Sequence, residues 1–402
     1  MYANKLSPYI TTSIATLSKE PQHHFTKLYL LYALTMPSAD SQAGLIWKED
    51  LWGDLEPEWT VEPNINIIAQ IARRELRVSE EVACEVKFLA SGAFNKVYTI
   101  QLGEDTCIQH IMRVSLPVQP HFKTMSETAT ITYIRHHTDI PAPKVSVSDL
   151  SNKNELGFEW MIQDFVHGRI LADARKTMSW LKKEVLVRNI VSYFVQLFSK
   201  RFDRLGNIYS TKDFQQLPTG VLADARLLGS EYSTDTEGFF RGGIISMPFF
   251  WGNHLSCDVA RGPFTNSRDW LAAQLQLHLI DLDEPDADSD PESDDDFVDL
   301  YNTDEAVKRR TARLLAVLAK LSPEDDAEEF VLHYYDLNQG NILLDSDDNL
   351  SGIIDWECVH TVPLYLACQK PKFLDAAMDR SVCSDPAKYA RDTLEGSVLK
   401  RL

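Results

Sequence analysis

Val331–Glu357 reads VLHYYDLNQGNILLDSDDNLSGIIDWE. Ile342, Leu343 and Leu344 form a short apolar run that predicts a buried strand. Asp345 to Asn349 are turn formers, and Gly352, Ile353 and Ile354 begin a return strand. The predicted hairpin brings Asp355, at the end of its second strand, back to the loop that carries Asp336 and Asn341, five residues apart. Three oxygen-bearing side chains then converge on one spot. Phosphoryl transfer uses such a set. One carboxylate orients the acceptor hydroxyl, while a carboxamide and a second carboxylate hold Mg²⁺ on the phosphates. Magnesium keeps several waters, so one or two protein oxygens suffice. The plainer alternative is an acidic hairpin with an Asx-type loop. The two apolar strands at this spacing favour the functional reading.

Upstream, residues 83 to 165 read as short β runs. Cys84 to Leu89, Lys96 to Leu102 and Thr106 to Ser115 are three of them. In the third, Ile108, His110, Met112 and Val114 alternate with Gln109, Ile111 and Arg113. Phe122 to His137 predicts a helix, ended by Pro141-Ala142-Pro143. Lys144 to Ser148 and Phe158 to Phe165 supply two more strands, giving the order βββαββ. After Gly168 the pattern turns helical, with Leu186, Ile190, Tyr193, Phe194 and Leu197 on one face. The stretch from Asn207 to Gly262 is rich in glycine and aromatic residues and shows no clear period. There Arg241-Gly242-Gly243 and Pro248-Phe249-Phe250-Trp251-Gly252 read as packed core or as part of an acceptor site, with core favoured. A further helix carries Val307, Leu314, Leu315, Leu318 and Leu321 and stops at Ser322-Pro323. Residues 1–80 read as a helical leader whose aromatics, Trp47, Trp52 and Trp59 among them, pack on the main domain.

The chain has 402 residues, 44% hydrophobic and 25% charged, so it is globular and large enough for one two-lobed enzyme. Lys and Arg number 40 against 59 Asp and Glu, a net charge of −19. That balance argues against general nucleic-acid binding and against anionic membrane surfaces. More than half of the excess lies in Asp281 to Asp299, which holds 11 acidic residues and neither Lys nor Arg. This run reads as a solvated, disordered insertion. The six cysteines form no CxxC pair, the pattern of free thiols in a reducing compartment. No apolar run is long enough to span a bilayer. Cytoplasm is the default location. The acid-free, Ser/Thr-rich start suggests a mitochondrial alternative, although arginine is absent before Arg73. The P-loop, H-E-x-x-H and G-x-S-x-G motifs are absent.

The D-L-x-x-x-N and I-I-D-W-E elements resemble the aminoglycoside phosphotransferase family, the small-molecule branch of the protein-kinase-like fold. The chain also resembles the fungal subgroup named for altered inheritance of mitochondria. The resemblance implies an α+β, two-lobed, protein-kinase-like fold. Residues 81–165 would be an N-lobe with a five-stranded antiparallel sheet and one helix. Residues 166–402 would be a mostly helical C-lobe interrupted by the acidic insertion at about 281–299. ATP and Mg²⁺ would lie between the lobes. By the same resemblance, Asp336 is the catalytic base, and Asn341 and Asp355 hold magnesium. Ser91, Gly92, Ala93, Phe94 and Asn95 cover the phosphates, and Arg113, paired to Glu127, anchors them. Gln163, Asp164, Phe165 and Val166 meet the adenine through backbone groups. His167 is a surface residue of this hinge, and Gly168 turns the chain into the second lobe. The acceptor would be a hydroxyl of an unidentified small molecule. Two departures stand out. Tyr334-Tyr335-Asp336 occupies the family's His-Gly-Asp, and Arg113 occupies the place of a lysine. They keep a second reading open, a pseudokinase that binds nucleotide or protein with little turnover. A third is an interaction protein whose acidic loop recruits a basic protein partner.

Overall fold

The structure is a computed structural model that describes residues 42–51, 54–103, 109–215, 238–283, 304–321 and 328–374. The acidic run beyond Asp283, Cys107, Cys383, Trp52 and most of the leader lie outside these residues.

The described part of the leader opens with a hairpin, β1 (Leu45–Glu49) and β2 (Leu55–Trp59), and only then a helix, α1 (Ile65–Glu75). This corrects the helical reading. Leu45, Trp47, Leu55, Pro57 and Trp59 recur at every second residue, the period of a strand. The hairpin turns its indoles inward. Trp47 meets Trp251 at 5.0 Å between ring centroids, and Trp59 meets Phe158 at the same separation. The α1 helix starts at Asn64, whose side chain accepts from the Asn66 amide, and it buries Ile68, Ile71 and Ala72.

Next come β3 (Cys84–Ser91), β4 (Asn95–Leu102), β5 (His110–Ser115), α2 (Phe122–His137), β6 (Val145–Asp149) and β7 (Glu159–Asp164). The five strands form an antiparallel sheet in the order β3-β4-β5-β7-β6. Alternation along β5 sends Met112 and Val114 into the core shared with α1, leaving Arg113 for the opposite face. Arg113 lies between Val97 and Met161 in the register.

The second half holds more β structure than expected. Its strands are β8 (Arg169–Ile170), β9 (Arg201–Phe202), β10 (Asn207–Ser210), β11 (Phe239–Gly242), β12 (Phe330–His333), β13 (Ile342–Leu344), β14 (Leu350–Ile353) and β15 (His360–Pro363). They build a five-stranded sheet, β11-β10-β15-β12-β9, and a three-stranded one, β14-β13-β8. Each strand has two to four residues, too short to display a period. The long helices are α3 (Trp180–Ser199), α4 (Ser267–Asp283) and α5 (Asp304–Leu321), beside several four-residue ones. Leu186, Ile190 and Leu197 of α3 enter the large core with Leu337, Ile342 and Trp356. Buried Asn207 ties the halves together. Its amide donates to Ser126 Oγ of α2 at 2.8 Å and to the Val359 carbonyl at 3.0 Å. Among the described residues, no helix is long and apolar enough to cross a membrane.

Candidate active site

The hairpin of β13 and β14 forms as its sequence predicts. The Asp345 carboxylate accepts the Asp347 and Asn349 amides at 2.9 Å each, closing the turn. Beyond β14 the Ile354 amide donates to the Asn341 carbonyl at 3.0 Å, which fixes the exit of the hairpin beside the loop of Asp336. Asp355 then adopts φ of 65°, in the left-handed region that L-residues seldom enter. Such strain persists only where the surroundings impose it, and it is common at functional sites.

Tyr334 is one cause. Its buried hydroxyl lies 2.6 Å from the Ile354 carbonyl and 2.7 Å from that of Asp355, and its ring sits against Trp356 at 4.6 Å. Burial, reinforced by Asp355 and Asp336, raises its pKa well above the usual phenol value, so the hydroxyl stays a donor. Tyr334 therefore braces the loop directly.

Asp336 is half-exposed. Its Oδ2 accepts from the Asn338 side-chain amide at 3.0 Å and, more weakly, from Asn341 at 3.4 Å. The Asn341 amide also donates to the Asp336 carbonyl at 3.0 Å. Lys372 Nζ lies 3.1 Å from Oδ1.

The sheet and α2 supply the rest. Arg113 Nη2 is 2.7 Å from Asp355 Oδ1 and 3.2 Å from Glu127 Oε1. The expected Arg113–Glu127 pair is present, and Asp355 shares the guanidinium. Two further residues join them that sequence reasoning missed. Lys123 Nζ lies 2.8 Å from Glu357 Oε2, and Asn95 Nδ2 donates to the same oxygen at 2.7 Å. Asn95 Oδ1 accepts from Ser115 at 2.9 Å and from Lys123 at 3.1 Å. A signal for Lys123 existed in the sequence, since it stands four residues before Glu127 on one helix face. Glu357 ends the quoted stretch.

This cluster sets three carboxylates, Glu127, Asp355 and Glu357, against two cations, Arg113 and Lys123. Both Glu127 oxygens lack a hydrogen bond. Burial pushes its pKa up to about 7, against the opposing pull of Arg113. Burial also raises Asp355, beyond what Arg113 restores. Burial would raise Glu357 too, but Lys123 and Arg113 outweigh it and hold it below the usual range. Among the described residues no three His, Cys, Asp or Glu side chains gather as a metal-binding group, so a magnesium ion here would rest on one or two protein oxygens and its own waters. The raised pKa of Glu127 predicts a pH effect. From pH 4.5 to about 7 the native state holds a proton on Glu127 that the unfolded chain releases. Stability is therefore lost as pH rises through that window. Glu127→Gln is expected to flatten this part of a melting-temperature profile taken from pH 4 to 8. An unchanged slope would refute the assignment.

Two other predicted segments have some of their backbone donors engaged within the fold. In the loop of Ser91, Gly92, Ala93, Phe94 and Asn95, the Gly92 amide closes the turn on the Asn95 carbonyl at 2.9 Å. Phe94 is buried against Phe250 at 5.3 Å, and Asn95 belongs to the ion cluster. That amide and those side chains serve the turn and the core, leaving Ser91, Gly92 and Ala93 exposed at the tip. At the hinge, the Asp164 amide donates to the Lys144 carbonyl and the Phe165 amide to that of Gln109, each at 2.9 Å. Sheet pairing takes these two donors, and Gln163 is buried. Of the expected adenine edge, those two amides are thus unavailable. Gly168 has φ of 152°, and a Cβ there would lie 2.7 Å from the Leu344 carbonyl. Only glycine lets the hinge pass β13 this closely. Phe249 and Phe250 are fully buried and belong to the core, Trp251 is partly buried, and Pro248 is exposed.

The segment that carries Asp336, Asn341, Asp355 and Glu357 also carries the family likeness. Residues 251–365 match the model of the phosphotransferase enzyme family. The matched segment excludes Arg113, Lys123 and Glu127, which come from the first sheet and α2. A subtelomeric hrmA-associated cluster protein of Aspergillus fumigatus is 24% identical over 191 residues, 46% of this chain and 34% of that protein. The mitochondrial altered inheritance of mitochondria protein 9 of Meyerozyma guilliermondii is 24% identical over 310 residues, 71% of this chain and 49% of that protein. The chain thus spans half or less of the length of these relatives. Among solved structures, the gentamicin complex of APH(2")-IIa is similar at 13% identity, with 78% of each chain covered and a TM-score of 0.42.

Proposed function

We propose that the chain is an ATP-dependent phosphotransferase that moves the γ-phosphate to a hydroxyl of a small molecule. In this reading the first sheet with α2 is the smaller lobe of a protein-kinase-like fold, and the part after Gly168 is the larger one. The observation that carries it is the bond from the Ile354 amide to the Asn341 carbonyl, which sets Asp355, paired with Arg113, beside the loop of Asp336 and Asn341. Asp336 orients the acceptor hydroxyl and takes its proton. Arg113, always charged, anchors phosphate oxygens as Glu127 holds it in place. Asn341 and Asp355 would hold Mg²⁺, which when bound neutralises charge on the phosphates.

A titration of Mg·ATP into wild-type and Asp355→Ala protein tests this. Even hydrogen-bond partners of metal ligands are worth about 10–100-fold in affinity, so loss of a direct ligand is expected to weaken Mg-dependent binding at least as much. Equal affinities would remove Asp355 from the site. A hydroxyl-metabolite screen then addresses turnover.

One observation favours the second reading, a nucleotide-binding protein without turnover. Arg113 already holds Asp355 at 2.7 Å, so magnesium would have to share or displace that contact. Nucleotide binding with no ATP consumption across the screen would support it.

A further inference from the structure

The segment after β15 lies against the loop of Asp336. A short helix, Leu364–Ala367, is followed by a single turn, Lys372–Leu374. Phe373 is buried, its amide donates to the Leu337 carbonyl at 2.9 Å, and its carbonyl accepts from Gln339 Nε2 at 2.8 Å. Gln339 Oε1 in turn accepts from Arg175 at 2.8 Å. This strap fixes Lys372 beside the carboxylate that would receive the acceptor. Its ammonium is 3.1 Å from Asp336 Oδ1 and 3.9 Å from the centroid of the exposed Tyr335 ring. An ammonium has three donors. Among the described residues Asp336 is its hydrogen-bond partner, and the side chain is 39% exposed.

Resting on the phosphotransferase reading, we propose that Lys372 selects the acceptor, which carries an anionic group, a carboxylate or phosphate, beside the hydroxyl that is phosphorylated. Lys372 receives the anionic group with its solvent-facing donors while Asp336 receives the hydroxyl. The acceptor oxygen forms its bond to the γ-phosphorus as the bond to the leaving ADP breaks, and the hydroxyl proton passes to Asp336. A polycationic acceptor would instead bring like charge against an ammonium that the strap holds in place. Charge complementarity of this kind discriminates through repulsion as well as attraction.

The test uses matched compounds: glycerate and glycerol 3-phosphate against glycerol, gluconate and glucose 6-phosphate against glucose, with choline and glucosamine as cations. The two anion types distinguish a carboxylate from a phosphate requirement. Turnover with Mg·ATP is followed by ADP release, and binding of each compound without nucleotide is followed by calorimetry. The expected result is an acid preferred over its neutral partner by up to about fivefold, the scale of one partly exposed ion pair. Lys372→Gln should erase that preference mainly through KM, and Lys372→Arg should retain it. Thermal melts check that both variants fold. Preference for a neutral or cationic acceptor overturns the proposal. So does an equal fall in kcat for every acceptor in Lys372→Gln, or no acid binding better than its neutral partner. Failure of Mg·ATP to bind counts against the phosphotransferase reading alone, since acid binding at Lys372 is measured without nucleotide.

Discussion

Asp336→Asn is expected to lower kcat by about 10²–10⁴-fold while Mg·ATP binds as in the wild type. The side chain is half-exposed and its loop is held by other contacts, chiefly Tyr334 and the Asn341 carbonyl, so the fold should survive. Asparagine has nearly the same shape but cannot accept a proton. Its carbonyl can still face Asn338 and Asn341, which donate to Oδ2 at 3.0 and 3.4 Å. Its amino group must then face Lys372, where an ion pair of 3.1 Å stood. Both the proton acceptor and the local charge balance are lost. The measurement is steady-state ADP production alongside nucleotide titration. Normal turnover would remove Asp336 from its role.

The second large effect is expected on stability. Arg113→Met keeps the length of the side chain but leaves Glu127 and Asp355 without their shared cation. Breaking a buried pair by removing one partner typically costs about 3–5 kcal/mol, because the remaining charge stays buried. Glu127 has no hydrogen bond to fall back on. Its protonation relieves part of the loss, so the deficit should be smaller at pH 6 than at pH 8. The double variant Arg113→Met, Glu127→Gln should recover part of it at pH 8. Urea unfolding at the two pH values measures this. A single variant within about 1 kcal/mol of wild type at both would mean the network contributes little, as exposed ion pairs do.

The sequence made the site legible where a period or a fixed spacing existed. Alternation along β5 placed Arg113 opposite Met112 and Val114. Helical spacing from Phe122 to His137 gave α2, and turn formers from Asp345 to Asn349 gave the hairpin that returns Asp355. The misses share one cause, contacts between distant segments. Nothing local marks Lys372 as a neighbour of Asp336, 36 residues away. Nothing local says that Asn95 meets Glu357 across 262 positions. Apart from β13 and β14, the short strands of the second half escaped notice because their burial comes from sheet neighbours.

Tyr334 in place of a histidine changes how the loop responds to acidity. An imidazole in that place would exchange its proton close to neutrality, loosening or tightening its grip as pH varied. The phenol of Tyr334, pushed upward by burial, keeps its proton throughout the physiological range. The support of Asp355 is thus constant, and the limbs of an activity profile would report on Glu127 and the nucleotide rather than on this part of the scaffold.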